Sequence, residues 1–146
     1  MALVMPESNP PLTDSANQLL KLVTQARDVL IGTHLNPDGD AIGSALAVSL
    51  WLDSLGIQNE VLCNNLPPGY LQFLPGSGRV RLVPVRSGHD LGIIVDLDSL
   101  DRLGSCRPFF ENVPHLALID HHIPHEMPGE LRIVDVTAPA TASILA

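Results

Sequence analysis

Asp28-Val29-Leu30-Ile31-Gly32-Thr33-His34 runs directly into Leu35-Asn36-Pro37-Asp38-Gly39-Asp40, and the reading of this stretch decides the fold. Its first half is a short apolar run with polar ends. It lacks apolar/polar alternation, as a strand covered on both faces does. The Asn-Pro-Asp-Gly that follows is turn chemistry. Beyond it a helix is expected from near Asp40, with Ile42, Ala45, Leu46, Ser49 and Leu50 at helical spacing toward a core. Gly56 stands where a helix stops in a left-handed C′ residue. A buried strand, a tight turn and a helix open a crossover unit, and such units build parallel sheets.

The flanking sequence repeats the pattern. Upstream, Thr13, Asp14 and Ser15 offer helix caps, Ser15 and Gln18 have capping-box spacing, and Ala16, Leu19, Leu20, Val23 and Ala26 continue a helix to about Arg27. Residues 1–12 are polar, contain prolines and are expected to be mobile. Downstream, Ile57 to Cys63 reads as a strand, and Pro67-Pro68-Gly69 opens a short stretch expected to pack Tyr70, Phe73 and Leu74. Apolar runs recur at Val80–Val85, Leu91–Val95, Leu116–Ile119 and Leu131–Val134, with a crossover helix expected within Leu100 to Phe110. The expected fold is therefore α/β, a Rossmann-like parallel sheet flanked by helices on both faces, in one domain over residues 13–146. Ala140 to Ala146 looks like the first turns of a helix without a C-cap or a closing strand, so the domain is expected to be truncated at its C-terminus.

Composition narrows the function. Hydrophobic residues make up 45% of the 146-residue chain, enough for a sizeable core, and 13 prolines and 11 glycines fall between the apolar runs as loop punctuation. A net charge of −8 gives no electrostatic footprint for long duplex nucleic acid. Acidic side chains gathered in one place would instead suit divalent cations, which could hold a small phosphorylated substrate. Cys63 and Cys106 read as free thiols. The start, MALVMPESNPPLTDS, lacks a basic region followed by an apolar stretch, and no uncharged apolar run reaches the roughly 18 residues that a membrane span needs. A cytoplasmic protein with no membrane association is expected.

In open α/β sheets, ligands bind where loops converge at the carboxyl ends of the strands. Three expected strands end alike: the first in His34, leading to Asp38 and Asp40, the second in Asp96, the third in Asp120, His121 and His122. Singly, Asp38 and Asp40 would be a turn and a helix cap, Asp96 a hydrogen-bond acceptor and the histidines exposed loop residues. All of them at one sheet edge is a different matter. Four carboxylates without a nearby lysine or arginine repel one another unless cations bind. Oxygen ligands mixed with imidazole suit Mn²⁺, with Co²⁺, Fe²⁺ or Zn²⁺ as substitutes and Mg²⁺ less favoured by the histidines. One aspartate bridging two ions about 3.5–4 Å apart would form the clamp used for in-line phosphoryl displacement, and a water bridging the ions would be acid enough to attack at neutral pH.

These motifs resemble those of a known family. His34-Leu35-Asn36-Pro37-Asp38-Gly39-Asp40-Ala41-Ile42-Gly43-Ser44 is similar to the first motif of the DHH phosphoesterases. Val95-Asp96-Leu97-Asp98-Ser99-Leu100-Asp101-Arg102-Leu103-Gly104 resembles the second in the form found in nanoRNase/pAp phosphatases, and Ile119-Asp120-His121-His122 resembles the name-giving third. Leu66 to Gly76 is also similar to that group. The resemblance implies that His34 and Asp38 hold one Mn²⁺, that Asp40 and His121 hold a second, and that Asp96 bridges both. It implies further that Asp120 orients a histidine and that His122 touches the substrate phosphate or gives a proton. Gly39, Gly43 and Ser44 would let the backbone and helix start approach the metal site, or would serve helix packing alone.

The domain is expected to be incomplete, with the family's Thr-Asp-Thr-Gly-like fourth motif and its C-terminal substrate domain, which carries a Gly-rich, His-containing segment, both absent. Asp135 is a poor substitute for the missing aspartate, and His125, where an asparagine is common, reads as a solvated loop residue. The implied activity is Mn²⁺-dependent hydrolysis of short oligoribonucleotides and of 3′-phosphoadenosine 5′-phosphate, with a homodimer as one form open to the full-length protein. The alternatives are a catalytically incomplete fragment that binds metal or nucleotide, and a cyclic-dinucleotide phosphodiesterase. Inorganic pyrophosphatases share the metal logic, but their local sequences fit less well.

Overall fold

A computed structural model describes residues 12–123, 125 and 128–146. Six strands form one sheet: β1 (Asp28–Gly32), β2 (Gln58–Leu62), β3 (Val80–Arg81), β4 (Leu91–Val95), β5 (Leu116–Asp120) and β6 (Leu131–Val134). Every pairing is parallel and the order is β3-β2-β1-β4-β5-β6. The chain winds outward from β1 to one edge, returns to β4, and winds outward to the other. The crevice between β1 and β4 is thus a topological switch point, where loops from the two halves diverge and leave room for a ligand. Register fixes what faces what there: Gly32 lies beside Ile94, and Val95 beside Ile119.

Four helices accompany the sheet: α1 (Leu12–Gln25), α2 (Gly39–Ser54), α3 (Arg107–Glu111) and α4 (Thr141–Leu145). Alternate strand residues divide between two cores, as the strand period of two requires. Val29, Ile31, Val61, Ile93 and Ile119 join Leu19, Val23, Ile42 and Leu52 of α1 and α2. Leu30, Leu62, Ile94 and Leu118 join Leu103, Cys106 and Phe110 on the opposite face. The expected sheet with helices on both faces is what forms. Gly32 is needed for the second core, since a Cβ there would lie 2.4 Å from Cζ of Phe110.

α2 has strong end signals. Asp38 is its N-cap, with extended backbone, and its Oδ1 accepts the Ala41 amide at 2.9 Å. Such a cap contributes roughly 1 kcal/mol. At the other end Gly56 has φ +72°, its amide donates to Asp53 O, and Ile57 N donates to Leu52 O, the paired bonds of a Schellman turn.

Several local expectations are corrected. α1 already includes Leu12, so Ser15 lies inside it as a buried residue rather than at its cap, and Leu20 is exposed. Leu50 is exposed too, and Val48 and Leu52 are buried in its stead. Val80–Val85 yields only a two-residue strand, because Leu82, Val83 and Val85 lie exposed beyond the sheet's edge. Leu71 and Leu74 pack inward from the stretch after Pro68, whereas Tyr70 and Phe73 are 69% and 78% exposed. The Leu100–Phe110 crossover is a 3-10 segment, Leu100–Cys106, broken at Gly104 and followed by α3. Residues 1–11 of the segment expected to be mobile lie outside the described residues.

The N-terminal edge of the sheet is closed by charge. Glu60 accepts the amides of Val85 and Arg86 at 2.7 and 3.1 Å and lies 2.7 Å from Nε2 of His89. Arg86 pairs through two nitrogens with Asp28 at 2.6 and 2.9 Å. These contacts hold the β3–β4 connection against β1 and β2. Burial pushes the Glu60 carboxyl pKa up, but the two amides and the His89 ring outweigh it and hold the value below the usual range. Its stabilising contribution is therefore complete above the ordinary glutamate range and fades as pH falls through the lowered folded value. Glu60→Ala is expected to cost about 2–3 kcal/mol at pH 7, the scale of lost hydrogen bonds to a buried charge. In urea titrations the gap to wild type should narrow at acid pH. An unchanged gap would separate Glu60 from this linkage.

Candidate metal centre

The carboxyl ends of β1, β4 and β5 bring together the sequence-marked residues. His34 follows β1 by two residues, buried, with its backbone carbonyl accepting the Cys63 thiol at 3.3 Å. Its Nδ1–H donates to Leu35 O at 2.7 Å, which leaves Nε2 facing Asp96 Oδ2 at 3.4 Å and Asp38 Oδ1 at 3.8 Å. Thr33, between strand and histidine, donates its hydroxyl to Val95 O at 2.9 Å and ties the ends of β1 and β4 together.

Asp96 is the centre of the arrangement. It directly follows β4, is 2% exposed, and has φ +60°, a left-handed conformation that costs a non-glycine residue about 1 kcal/mol or more. Its amide is bonded to Ile119 O of β5, which holds the turn in place. Oδ1 lies 3.4 Å from Nε2 of His121 and 3.8 Å from Nδ1 of His122, while Oδ2 faces His34. Two trios with ligand atoms close enough for one ion share this residue: His34, Asp38 and Asp96, and Asp96, His121 and His122.

Asp40 lies in the first turn of α2, and Oδ2 stands 3.4 Å from Nε2 of His121. Its two oxygens also accept the amides of Thr141 and Ala142, each at 2.9 Å, and the Ser44 hydroxyl at 3.2 Å. Ser44 therefore serves Asp40 and not packing alone. Among protein atoms, a Cβ at Gly43 would meet nothing within 4 Å, and one at Gly39 only a Leu71 methyl at 3.8 Å. Asp120 is buried, and its Oδ1 accepts Nδ1–H of His122 at 2.6 Å. His121 donates Nδ1–H to Ala138 O at 3.3 Å. His125 is exposed, and Asp135 caps its own turn by accepting the amide and hydroxyl of Thr137.

The electrostatics fit a cation. Among the described residues, Asp38, Asp40, Asp96 and Asp120 pair with histidines and with no lysine or arginine. Burial, and after it the nearby Asp40 charge, raise the Asp96 pKa against the opposing His34 bond. The bond to Asp96 raises the His34 pKa in turn, although burial opposes it. Asp40 is pushed up by burial, but the Ala142 and Thr141 amides outweigh this and leave it below the usual carboxylate range. A divalent ion would relieve the Asp96–Asp40 repulsion, and the mixed oxygen and imidazole donors suit a first-row transition metal.

The model of the DHH family, N-terminal domain, matches residues 28–146. The chain belongs to the DHH family of phosphoesterases. Its DHH region is 34% identical over 118 residues to the bifunctional oligoribonuclease and PAP phosphatase NrnA of Thermus thermophilus, covering 80% of this chain and 35% of that protein. The chain thus spans about a third of that relative's length. Among solved structures, an exopolyphosphatase-related protein from Bacteroides fragilis matches with a TM-score of 0.84 at 24% identity, over 99% of this chain and 44% of the other. RecJ of Thermus thermophilus in complex with Mn²⁺ matches with a TM-score of 0.54 at 19% identity, over 92% and 19%. These two show that the DHH fold is shared.

Sequence reading missed Thr141, whose buried hydroxyl donates to Asp96 Oδ1 at 3.0 Å, and the main-chain acceptors Leu35 O and Ala138 O. Backbone partners leave no mark in side-chain spacing. The Asp120–His122 bond fixes the neutral ring with its proton on Nδ1. In ¹⁵N NMR at alkaline pH, His122 is expected to show this single tautomer, and Asp120→Asn to give a mixture. A mixture in wild type would mean that Asp120 does not orient the ring.

Proposed function

We propose that this chain supplies the metal-binding half of a two-metal phosphoesterase that hydrolyses short oligoribonucleotides and 3′-phosphoadenosine 5′-phosphate. The observation that carries this reading is that the buried Asp96 faces His34 through Oδ2 and His121 through Oδ1, and so lies between two groups of potential ligands. The identity to NrnA supports the substrate class, and the Mn²⁺ in RecJ supports the choice of ion. His34, Asp38 and Asp96 would hold one ion. Asp40, His121 and again Asp96 would hold the other, since Asp40 Oδ2, which faces His121, accepts only the Thr141 amide and keeps acceptor capacity. Two such ions supply an acidified water as nucleophile and draw off charge from the phosphoryl oxygens.

The protein's own groups do the rest. Asp120 holds the proton of His122 on Nδ1, so Nε2 faces the half-open side of the site, where it can receive a proton or return one to the departing oxygen. Arg102 is bonded through its carbonyl to the Leu35 amide beside His34, and its exposed guanidinium makes no ion pair or hydrogen bond among the described residues. From there it can reach a substrate phosphate. A cytoplasmic location completes the reading; among the described residues no helix is long and apolar enough to cross a membrane.

The first test is calorimetric titration with Mn²⁺, followed by assays on a diribonucleotide and on 3′-phosphoadenosine 5′-phosphate. Two ions per chain and cleavage of either substrate are expected; an absence of Mn²⁺ binding would overturn the proposal. Because ligand histidines must be neutral and the His34 pKa is raised, affinity should fall as pH drops from 8 to 6, with protons released on binding. Asp96→Asn should lower kcat by more than about 100-fold, beyond the usual effect of a supporting contact. Arg102→Ala should raise KM about tenfold or more and leave kcat nearly intact, as loss of uniform substrate binding does. A fall in kcat alone would assign Arg102 another role.

A further inference from the structure

The segment from Ala138 to Ala142 meets the metal centre at three points, all on one side. Ala138 O receives the His121 ring, the Thr141 and Ala142 amides each hold one oxygen of Asp40, and the Thr141 hydroxyl holds Oδ1 of Asp96. Thr141 is fully buried and stands 45 residues from Asp96 and 101 from Asp40 in the chain. An ionised carboxylate only accepts, so the hydroxyl proton lies on the Asp96 side of this bond. A buried hydroxyl must find some partner. That requirement alone does not select the Asp96 oxygen that faces His121.

Aspartate χ2 is a broad, roughly two-fold torsion, and an unrestrained carboxylate rotates easily. At Asp96 the two oxygens are held by different groups, Oδ2 by His34 and Oδ1 by Thr141, with His121 also facing Oδ1. Without the hydroxyl, the torsion is pinned by imidazoles alone, and these would be engaged by the ions themselves. We propose that Thr141 is a positioning residue that divides the Asp96 carboxylate between the two half-sites, so that the ion beside His121 and Asp40 binds tightly only when this hydroxyl is in place. The inference rests on the two-metal reading above.

Thr141→Val keeps the shape and removes the donor, Thr141→Ser keeps the donor, and Thr141→Ala provides a second removal should valine not fold. Mn²⁺ titration of the wild-type chain should resolve two ions. In Thr141→Val or Thr141→Ala the second ion should weaken about 10- to 100-fold while the first stays within about threefold, and Thr141→Ser should restore both. Electron paramagnetic resonance gives a readout independent of activity: a coupled Mn²⁺ pair in wild type and in Thr141→Ser, and an isolated six-line signal in the donor-less variants at the same loading. Two ions bound with wild-type affinity in Thr141→Val overturn the proposal. So does equal weakening of both ions together with a lowered metal-free melting temperature, which would assign Thr141 to the fold alone. Failure of the wild-type chain to bind Mn²⁺ would instead overturn the two-metal reading itself.

Discussion

The buried carboxylate of Asp96 is the constraint around which the rest of the site is arranged. An anion withdrawn from water costs several kcal/mol unless partners replace its hydration. Here burial and the charge of Asp40 both act against ionisation, and the compensation comes from a histidine, a threonine hydroxyl and a second histidine on three different elements. The left-handed backbone at the same residue adds strain that the Ile119 bond must hold. Strain and a poorly compensated charge at one position are what a fold tolerates where a ligand supplies the missing compensation.

The two ends of the sheet treat charge in opposite ways. At the N-terminal end, Arg86 neutralises Asp28, and Glu60 is satisfied by two amides and His89. Arg79 pairs with Asp53, and Arg107 with Asp101 and Glu111, away from the centre. Among the described residues, the carboxylates at the C-terminal end of the central strands meet imidazoles and neutral donors and no lysine or arginine. Four of the carboxylates that have no lysine or arginine partner among the described residues, Asp38, Asp40, Asp96 and Asp120, are gathered at the carboxyl ends of β1, β4 and β5. A substrate carrying phosphates would be repelled there without cations, which makes ion loading a condition of substrate binding as well as of chemistry.

Much of this was legible in the sequence because it follows from local rules. The non-alternating runs at Val29–Ile31 and Leu91–Val95 read as strands covered on both faces, and they are fully buried strands. Gly56 marked the end of α2 through backbone chemistry carried by a single residue, whereas the cap expected of Asp40 is supplied by Asp38, two residues earlier. His34, Asp40, Asp96, Asp120, His121 and His122 were visible as a group because parallel strands place all their carboxyl ends on one edge. Val80–Val85 misled for a physical reason. An apolar run extends a strand only where a neighbour and a covering helix bury it, and at the edge beyond β2 there is neither, so Leu82, Val83 and Val85 stay exposed. Tyr70 and Phe73 failed likewise: the 3-10 geometry of Gly69–Leu71 turns Leu71 inward and leaves both aromatics outside.

The two halves of the centre differ in how they are assembled. His34 and Asp38 come from one contiguous strand-turn-helix, and the Asp38 cap and the Leu35 carbonyl that orient them are made within that stretch. The other half joins Asp40 to His121, to Asp96 and to a segment 101 residues away, so each contact must first close a long loop. Asp96 alone belongs to both. Any loosening of β5 or the Thr141 segment therefore acts on the second half before the first, and the two half-sites need not be equally stable although they share a ligand. All three histidines reinforce this dependence. Each commits Nδ1 to a partner, Leu35 O, Ala138 O or Asp120, and so presents Nε2 outward. For His34 that partner is its chain neighbour, whereas for His121 it lies on the segment that also carries Thr141. The order of the second half-site is thus set by packing around α4, which residue spacing within the Asp-His-His motif could not disclose.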